Sequence, residues 1–121
     1  MQLHHVAIIV SDMERSARFY EGVLGLVREP RPDLGFPGIF YALGGGQQLH
    51  LMQIDDPCQG YVKPDHGGRD RHFALATDDL GVLIERLDRE GVQYTRSRSG
   101  RAAIFFRDPD GNAIEVVKRE G

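Results

Sequence analysis

Apolar and polar residues alternate along this chain in short bursts, and the bursts come in two matching sets. His5-Val-Ala-Ile-Ile-Val10 places Val6, Ile8 and Val10 on one parity and His5, Ala7 and Ile9 on the other. That is the period-two signature of a strand with two unlike faces. Ser11-Asp-Met-Glu14 follows with the S-x-x-E form of a capping box, which predicts Ser11 as a helix N-cap. Met13, Ala17, Tyr20 and Leu24 then recur at helical spacing, and Gly22 and Gly25 mark the stop. Two strand-like runs, "GIFYAL" and "QQLHLMQ", flank Gly44-Gly45-Gly46, a hairpin signal because glycine supplies the positive φ of a tight turn. A weaker strand is expected at 26–29.

The same order then repeats at one constant offset, with His72 answering His5 and Asp79 answering Asp12. The strand His72-Phe-Ala-Leu-Ala-Thr77 leads to a cap at Thr77 or Asp78. Leu80, Leu83, Ile84 and Leu87 form an apolar stripe, and Gly91 stands where a helix C′ glycine belongs. A weaker strand is expected at 93–97. "RAAIFFR" and "NAIEVVK" flank Asp108-Pro-Asp-Gly111, a type I turn sequence. Each half thus reads strand–helix–strand–strand–strand, and the expected fold class is α+β, built from two βαβββ modules. The modules span about 1–54 and 70–121. The polar, Pro- and Gly-rich stretch 55–69 reads as a linker or mobile loop.

Parity also sorts the candidate chemistry. Val6, Phe73, Leu49, Leu51, Ile114 and Val116 fall on the core parity of their strands, whereas His5, His50, His72 and Glu115 fall on the opposite one. Small alanines beside His72, at Ala74 and Ala76, leave a hollow on that face. Taken singly, a strand histidine is ordinarily exposed or hydrogen-bonded, and Glu115 alone would suit a surface lysine. All four on one parity, inside a repeat, make a metal site the expectation, since imidazole nitrogen and carboxylate oxygen ligate divalent transition metals. His4 has the other parity and is left unassigned. His66, in the polar stretch, reads as solvent-exposed. Tyr20, Phe40, Tyr41, Phe105 and Phe106 suit core packing, with cleft lining as the other reading. Arg101 and Arg107 are candidates to hold an anionic substrate, and Arg101 and Phe105 are the substrate-contact candidates.

Composition narrows the setting. The 121 residues suffice for one compact domain, and a net charge of −3 without any basic block excludes nucleic acid and anionic membranes as partners. No apolar run approaches membrane-spanning length, and "MQLHH" has neither the basic nor the apolar region of a signal peptide. Cys58 is the single cysteine, so no disulfide forms within the chain and a cytoplasmic setting is expected.

The segments "HHVAIIVSDMERSARFYEGVLGL", "RHFALATDDL" and "FFRDPDGNAIEVV" resemble the vicinal oxygen chelate superfamily, which includes glyoxalase I, bleomycin-resistance proteins, fosfomycin-resistance enzymes, methylmalonyl-CoA epimerase and extradiol dioxygenases. The resemblance covers nearly the whole chain. It implies a single glyoxalase-like domain whose modules make a cupped, incompletely closed eight-stranded mixed sheet with helices outside. It implies a homodimer, with the metal site often shared between subunits. Its ligand positions fall on His5, His50, His72 and Glu115. In glyoxalase I an arginine and an asparagine that serve glutathione stand where this chain has Ile9 and Ile54, so glutathione is not the expected substrate.

The implied activity is a metal-dependent lyase or isomerase (with Zn, Ni, Co, Mn or Fe) that chelates two neighbouring oxygens of a small molecule and stabilises an enolate or oxyanion. Glu115 is the expected general base. Should only His5, His72 and Glu115 bind, they form a two-His-one-carboxylate triad suited to an Fe(II) extradiol-type dioxygenase, with His50 as a free acid or base. The remaining alternative is a non-catalytic protein that sequesters a small molecule such as an antibiotic.

Overall fold

The computed structural model describes residues 1–120. It divides into two units at Gly60/Tyr61. In the first, β1 (His5–Val10), β2 (Val27–Glu29), β3 (Gly38–Gly44) and β4 (Gln47–Gln53) form one four-stranded sheet in the order β1-β4-β3-β2. In the second, β5 (His72–Thr77), β6 (Tyr94–Arg96), β7 (Ala103–Arg107) and β8 (Ala113–Lys118) form another, in the order β5-β8-β7-β6. Both sheets are mixed: β1 runs parallel to β4 and β5 to β8, while the remaining pairs are antiparallel. Each unit carries its helix between its first two strands: α1 (Met13–Ala17) in the first and α2 (Leu80–Arg89) in the second. This is the α+β architecture of two βαβββ modules that the alternating pattern predicts.

Burial follows the parity. In the first unit, Val10, Ile39, Tyr41, Leu49 and Leu51 are almost fully buried on one face of the sheet, with Tyr20 and Val23 against them from the helical segment. In the second, Leu83 and Leu87 of α2 are buried, as are Ile104, Phe106, Ile114 and Val116. The aromatics therefore split. Tyr20, Tyr41 and Phe106 belong to the core, whereas Phe40 and Phe105 lie on the ligand face, in register with His50 and Glu115 respectively.

The helix ends differ from expectation by one residue. Asp12, not Ser11, caps α1: its carboxylate accepts from the Arg15 amide at 3.0 Å. Asp79, not Thr77 or Asp78, caps α2 by accepting from Val82 N at 3.1 Å. At α1 the carboxylate wins over the neighbouring Ser11 hydroxyl, since it accepts with a full charge and favours the helix N-terminus; at α2 the helix starts one residue later than expected, which passes the cap from Thr77 or Asp78 to Asp79. After Ala17 the first helix widens into a π-helical segment, Arg18–Val23, with Leu24 N donating to Phe19 O at 3.3 Å. Gly22 sits inside that segment and only Gly25, at φ 70°, ends it. Gly91 takes its C′ role: its amide donates to Asp88 O and that of Val92 to Leu87 O, a Schellman closure.

Two devices fix the parts that carry the ligand face. The Asp108–Gly111 turn closes with Gly111 N donating to Asp108 O at 2.9 Å, and the buried Asp108 carboxylate accepts from the amides of Asp110 and Asn112 and from Asn112 Nδ2. The second device uses part of the polar stretch. Residues 61–70 belong to the second unit, and a single 3₁₀ turn, Gly67–Arg69, packs on β7 and β8. A Cβ on Gly67 would already touch Ala113 and Phe105 at 3.4 Å, so this backbone lies directly on the ligand face. Arg107 holds it there, donating to Asp70 Oδ2 (2.7 Å), Pro64 O (2.6 Å) and Gly111 O (2.8 Å).

Burial raises the Asp70 pKa, but hydrogen bonds from Arg107 and the Arg71 amide, with the Arg107 charge, outweigh it and hold the carboxyl below its usual value. The carboxylate form is therefore favoured by folding. Its contribution is complete above the ordinary carboxylate range and is lost as pH falls through the depressed folded value. Asp70→Asn is expected to cost about 2 kcal/mol of stability at neutral pH, the scale of a charge-assisted hydrogen bond, and to make the stability difference vanish in strong acid. Urea unfolding of both proteins across pH checks this; an unchanged midpoint at pH 7 would contradict it.

Candidate functional site

Within each unit, the parallel strand pair places two of the candidate ligands diagonally across from one another. In the first, β1 and β4 put Ala7 in register with His50, and His5 one step down the same face. In the second, β5 and β8 put Ala74 in register with Glu115, and His72 one step down. The alanine opposite each central ligand keeps that position open. The two modules are thus built to the same plan: His5 corresponds to His72, His50 to Glu115, and Phe40 to Phe105.

In the second unit, His72 Nε2 lies 3.5 Å from Glu115 Oε1. The other ring nitrogen, Nδ1, is 2.8 Å from the backbone carbonyl of Asp70. A carbonyl only accepts, so Nδ1 of His72 carries a proton, and Nε2 is the nitrogen left facing a carboxylate oxygen. Nε2 and the carboxylate face each other across a gap that suits a proton or a cation. Fixing a histidine tautomer through a carbonyl is also how metal-ligating imidazoles are oriented. Glu115 is 4% exposed, and its second oxygen meets Arg101 Nη2 at 3.4 Å. Phe105 packs edge-on to His72, with ring centroids 5.1 Å apart, and walls this pair.

In the first unit, three rings form a row. The His50 ring stacks on Phe40 at 3.6 Å and on His5 at 4.1 Å. His50 Nε2 is 2.8 Å from Gln48 Oε1, while Gln48 Nε2 donates to Glu29 Oε1 at 2.9 Å. The Glu29 carboxylate accepts only, which turns the Gln48 oxygen toward His50 and makes His50 Nε2 a donor. Burial, followed by the charges of His5, His4 and Arg31, pushes the His50 pKa down, so the ring is neutral at neutral pH. His4 is not idle: its Nδ1 hydrogen-bonds His5 Nδ1 at 2.9 Å.

Within neither unit do three or more His, Cys, Asp or Glu side chains of the described residues gather as a metal-ligand group. Each unit supplies a pair. The pairs fit a divalent cation by their donor chemistry, most clearly at His72 and Glu115. Sequence reading missed several supporting groups. Gln48 and the Asp70 carbonyl orient ring nitrogens, and backbone acceptors leave no side-chain signal. His66, read as solvent-exposed, is half-buried: its ring packs on Phe105 at 4.9 Å and its Nδ1 lies 2.6 Å from Thr95 Oγ1. The cause is residues 61–70 folding back over the sheet. Of the two candidate anion-holding arginines, Arg107 is engaged in the Asp70 clamp, and Arg101 faces Glu115.

Comparison with known proteins agrees with this architecture. The family model described as the Glyoxalase/Bleomycin resistance protein/Dioxygenase superfamily matches residues 2–116, and the chain belongs to that superfamily. It is 31% identical to "Glyoxylase I 4" of Arabidopsis thaliana over 94% of its length and 68% of that protein's. It is 29% identical to "Methylmalonyl-CoA epimerase, mitochondrial" of Bos taurus over 95% of its length and 71% of that protein's. Its fold is that of the fosfomycin resistance protein FosX from Listeria monocytogenes, with a TM-score of 0.70 at 21% identity over 96% of this chain and 90% of that one.

The geometry predicts the protonation of each ring. ¹⁵N NMR of the metal-free protein is expected to find Nδ1 of His72 protonated and, at neutral pH, His50 as the Nε2–H tautomer. A dominant Nε2–H form at His72 would contradict the Asp70 carbonyl bond.

Proposed function

We propose that the chain is a metal-dependent enzyme of the lyase or isomerase type, acting on a small molecule with two neighbouring oxygens. The observation that carries this reading is His72 Nε2 set 3.5 Å from the Glu115 carboxylate, with the imidazole oriented by the Asp70 carbonyl. His5, His50, His72 and Glu115 are the proposed ligands of one divalent ion (Zn, Ni, Co, Mn or Fe), each site formed within a chain or shared in a homodimer. Three imidazoles and a carboxylate are an N/O donor set of the kind these ions take. When bound, such an ion supplies Lewis-acid stabilisation of the charge that develops on the substrate oxygens.

The chain's own residues supply the rest. Glu115 is the candidate base for a proton beside a substrate oxygen, since it is the buried carboxylate of the ligand face. The Arg101 guanidinium lies 3.4 Å from its second oxygen. Phe40 stacks on His50 and Phe105 packs edge-on against His72, giving each pair one apolar wall. Membership of the superfamily and the glyoxylase- and epimerase-named relatives support this reaction class. The single cysteine supports a cytoplasmic setting. Ile9 and Ile54 remain the reason not to propose glutathione as co-substrate.

One observation favours a second reading. His50 Nε2 is already engaged by Gln48. If it stays so, His5, His72 and Glu115 form the two-His-one-carboxylate set of an Fe(II) dioxygenase, and His50 serves as an acid or base.

Elemental analysis of purified protein is expected to find up to one divalent ion per chain. Alanine at His5, His72 or Glu115 is expected to weaken Co(II) binding by roughly tenfold or more, judged by the size of such losses even for supporting residues. The same loss in His50→Ala supports four ligands, while unchanged binding there supports the triad. No bound metal, and no saturable uptake of Ni, Co, Mn, Fe or Zn, would defeat the enzyme reading and leave small-molecule sequestration.

A further inference from the structure

The ligand face of the first unit carries a cation that has no anion. Arg31 follows β2, in the connection to β3. Its guanidinium lies 5.0 Å from the Phe36 ring centre and 5.8 Å from that of Phe40, the ring that stacks on His50. Gly38 makes the room. A Cβ there would come within 2.7 Å of Arg31 Cζ and Nε, and within 2.6 Å of the Leu51 carbonyl oxygen. Arg31 Nη2 donates to Phe36 O at 3.0 Å, but its Nε is buried without a partner.

The nearby carboxylates are turned elsewhere. Glu29 accepts from Gln48 Nε2, and Asp33 accepts from the Gly35 amide. Among the described residues no carboxylate pairs with Arg31. The second unit shows what is missing. There the matching connection, between β6 and β7, carries Arg101, which reaches Glu115 at 3.4 Å. Glu115 is in register with Phe105 as His50 is with Phe40. Both modules bring an arginine toward the same row of the sheet. In one the sheet answers with a carboxylate; in the other it answers with an imidazole. A half-buried guanidinium without a carboxylate is costly to leave alone, and a carboxylate or phosphoryl oxyanion at its remaining terminal N–H groups would supply charge-assisted hydrogen bonds.

We propose that Arg31 is a substrate-binding residue that takes the anionic group, carboxylate or phosphoryl, of the molecule processed at this face. The identification of that molecule as substrate rests on the metal-enzyme reading above. Because Phe40 stands between Arg31 and His50, the charged group is separated by several bonds from the oxygens that approach the His5–His50 pair, with a flat or apolar segment against Phe40. The substrate class is therefore an anion whose charge is remote from its reactive oxygens, rather than a small acid whose own carboxylate is chelated.

The test uses acetate and inorganic phosphate as probes, added separately to wild type, Arg31→Gln and Arg31→Lys, with the Arg31 Nε–H resonance and the Phe40 ring signals followed by NMR. Co(II) binding is measured on the same three proteins. Saturable shifts at Phe40 in wild type are expected for at least one probe, weakened roughly tenfold or more in Arg31→Gln and partly restored in Arg31→Lys, with Co(II) binding retained in all three. A response to acetate alone assigns a carboxylate, and to phosphate alone a phosphoryl group. No saturable shift with either anion, or shifts that persist in Arg31→Gln, would overturn the assignment. A wild-type chain that bound no metal but kept Arg31-dependent anion binding would defeat the enzyme reading and leave this anion site standing.

Discussion

The parallel pairing of the first and last strands of each module is the constraint on which the rest depends. In the second unit it sets Phe73 beside Ile114 and Leu75 beside Val116, apolar against apolar on the face that α2 covers. Because side chains alternate, the same register necessarily sets Ala74 beside Glu115 and brings His72 to the next step on the opposite face. The first unit repeats this with Val6 beside Leu49, Ile8 beside Leu51 and Ala7 beside His50. A slip of one residue would drive imidazoles and a carboxylate into the core. Core packing and ligand placement are therefore one decision, made twice.

The two copies then diverge by what lies over them. Residues 61–70 fold onto the second sheet and contribute the Asp70 carbonyl, which orients the His72 ring, while the Asp70 side chain is locked by Arg107. Residues 61–70 thus form a supporting shell for one proposed ligand. The first sheet has no such cover, and its histidines are organised by stacking and by the Glu29–Gln48 relay instead. Carboxylate at Glu115 and imidazole at His50 explain why Arg101 finds a carboxylate in one module and Arg31, among the described residues, finds none in the other.

The succession of strands along the chain and the face of each candidate ligand were legible from alternation alone, because one side of each sheet is packed and the period of two is strict. The helix starts were legible only to within a residue. Ser11 and Asp12 are both good caps, and charge decided between them. The π-helical stretch left no mark in the spacing of Tyr20 and Leu24. Gln48, His66 and Arg31 act through contacts between segments distant in sequence, which no local pattern encodes. Gly38 is the exception: a glycine inside a strand, on the ligand parity, is a signal of close approach by another group, here Arg31.

The central claim is that the ligand face holds a divalent ion through imidazoles and one carboxylate. X-ray absorption on the Co(II)-loaded protein addresses it directly. The account predicts a first shell of nitrogen and oxygen, with the multiple-scattering pattern of at least two imidazoles, reduced by one imidazole in His72→Ala. A shell without imidazole scattering, or one containing the Cys58 sulfur, would contradict it.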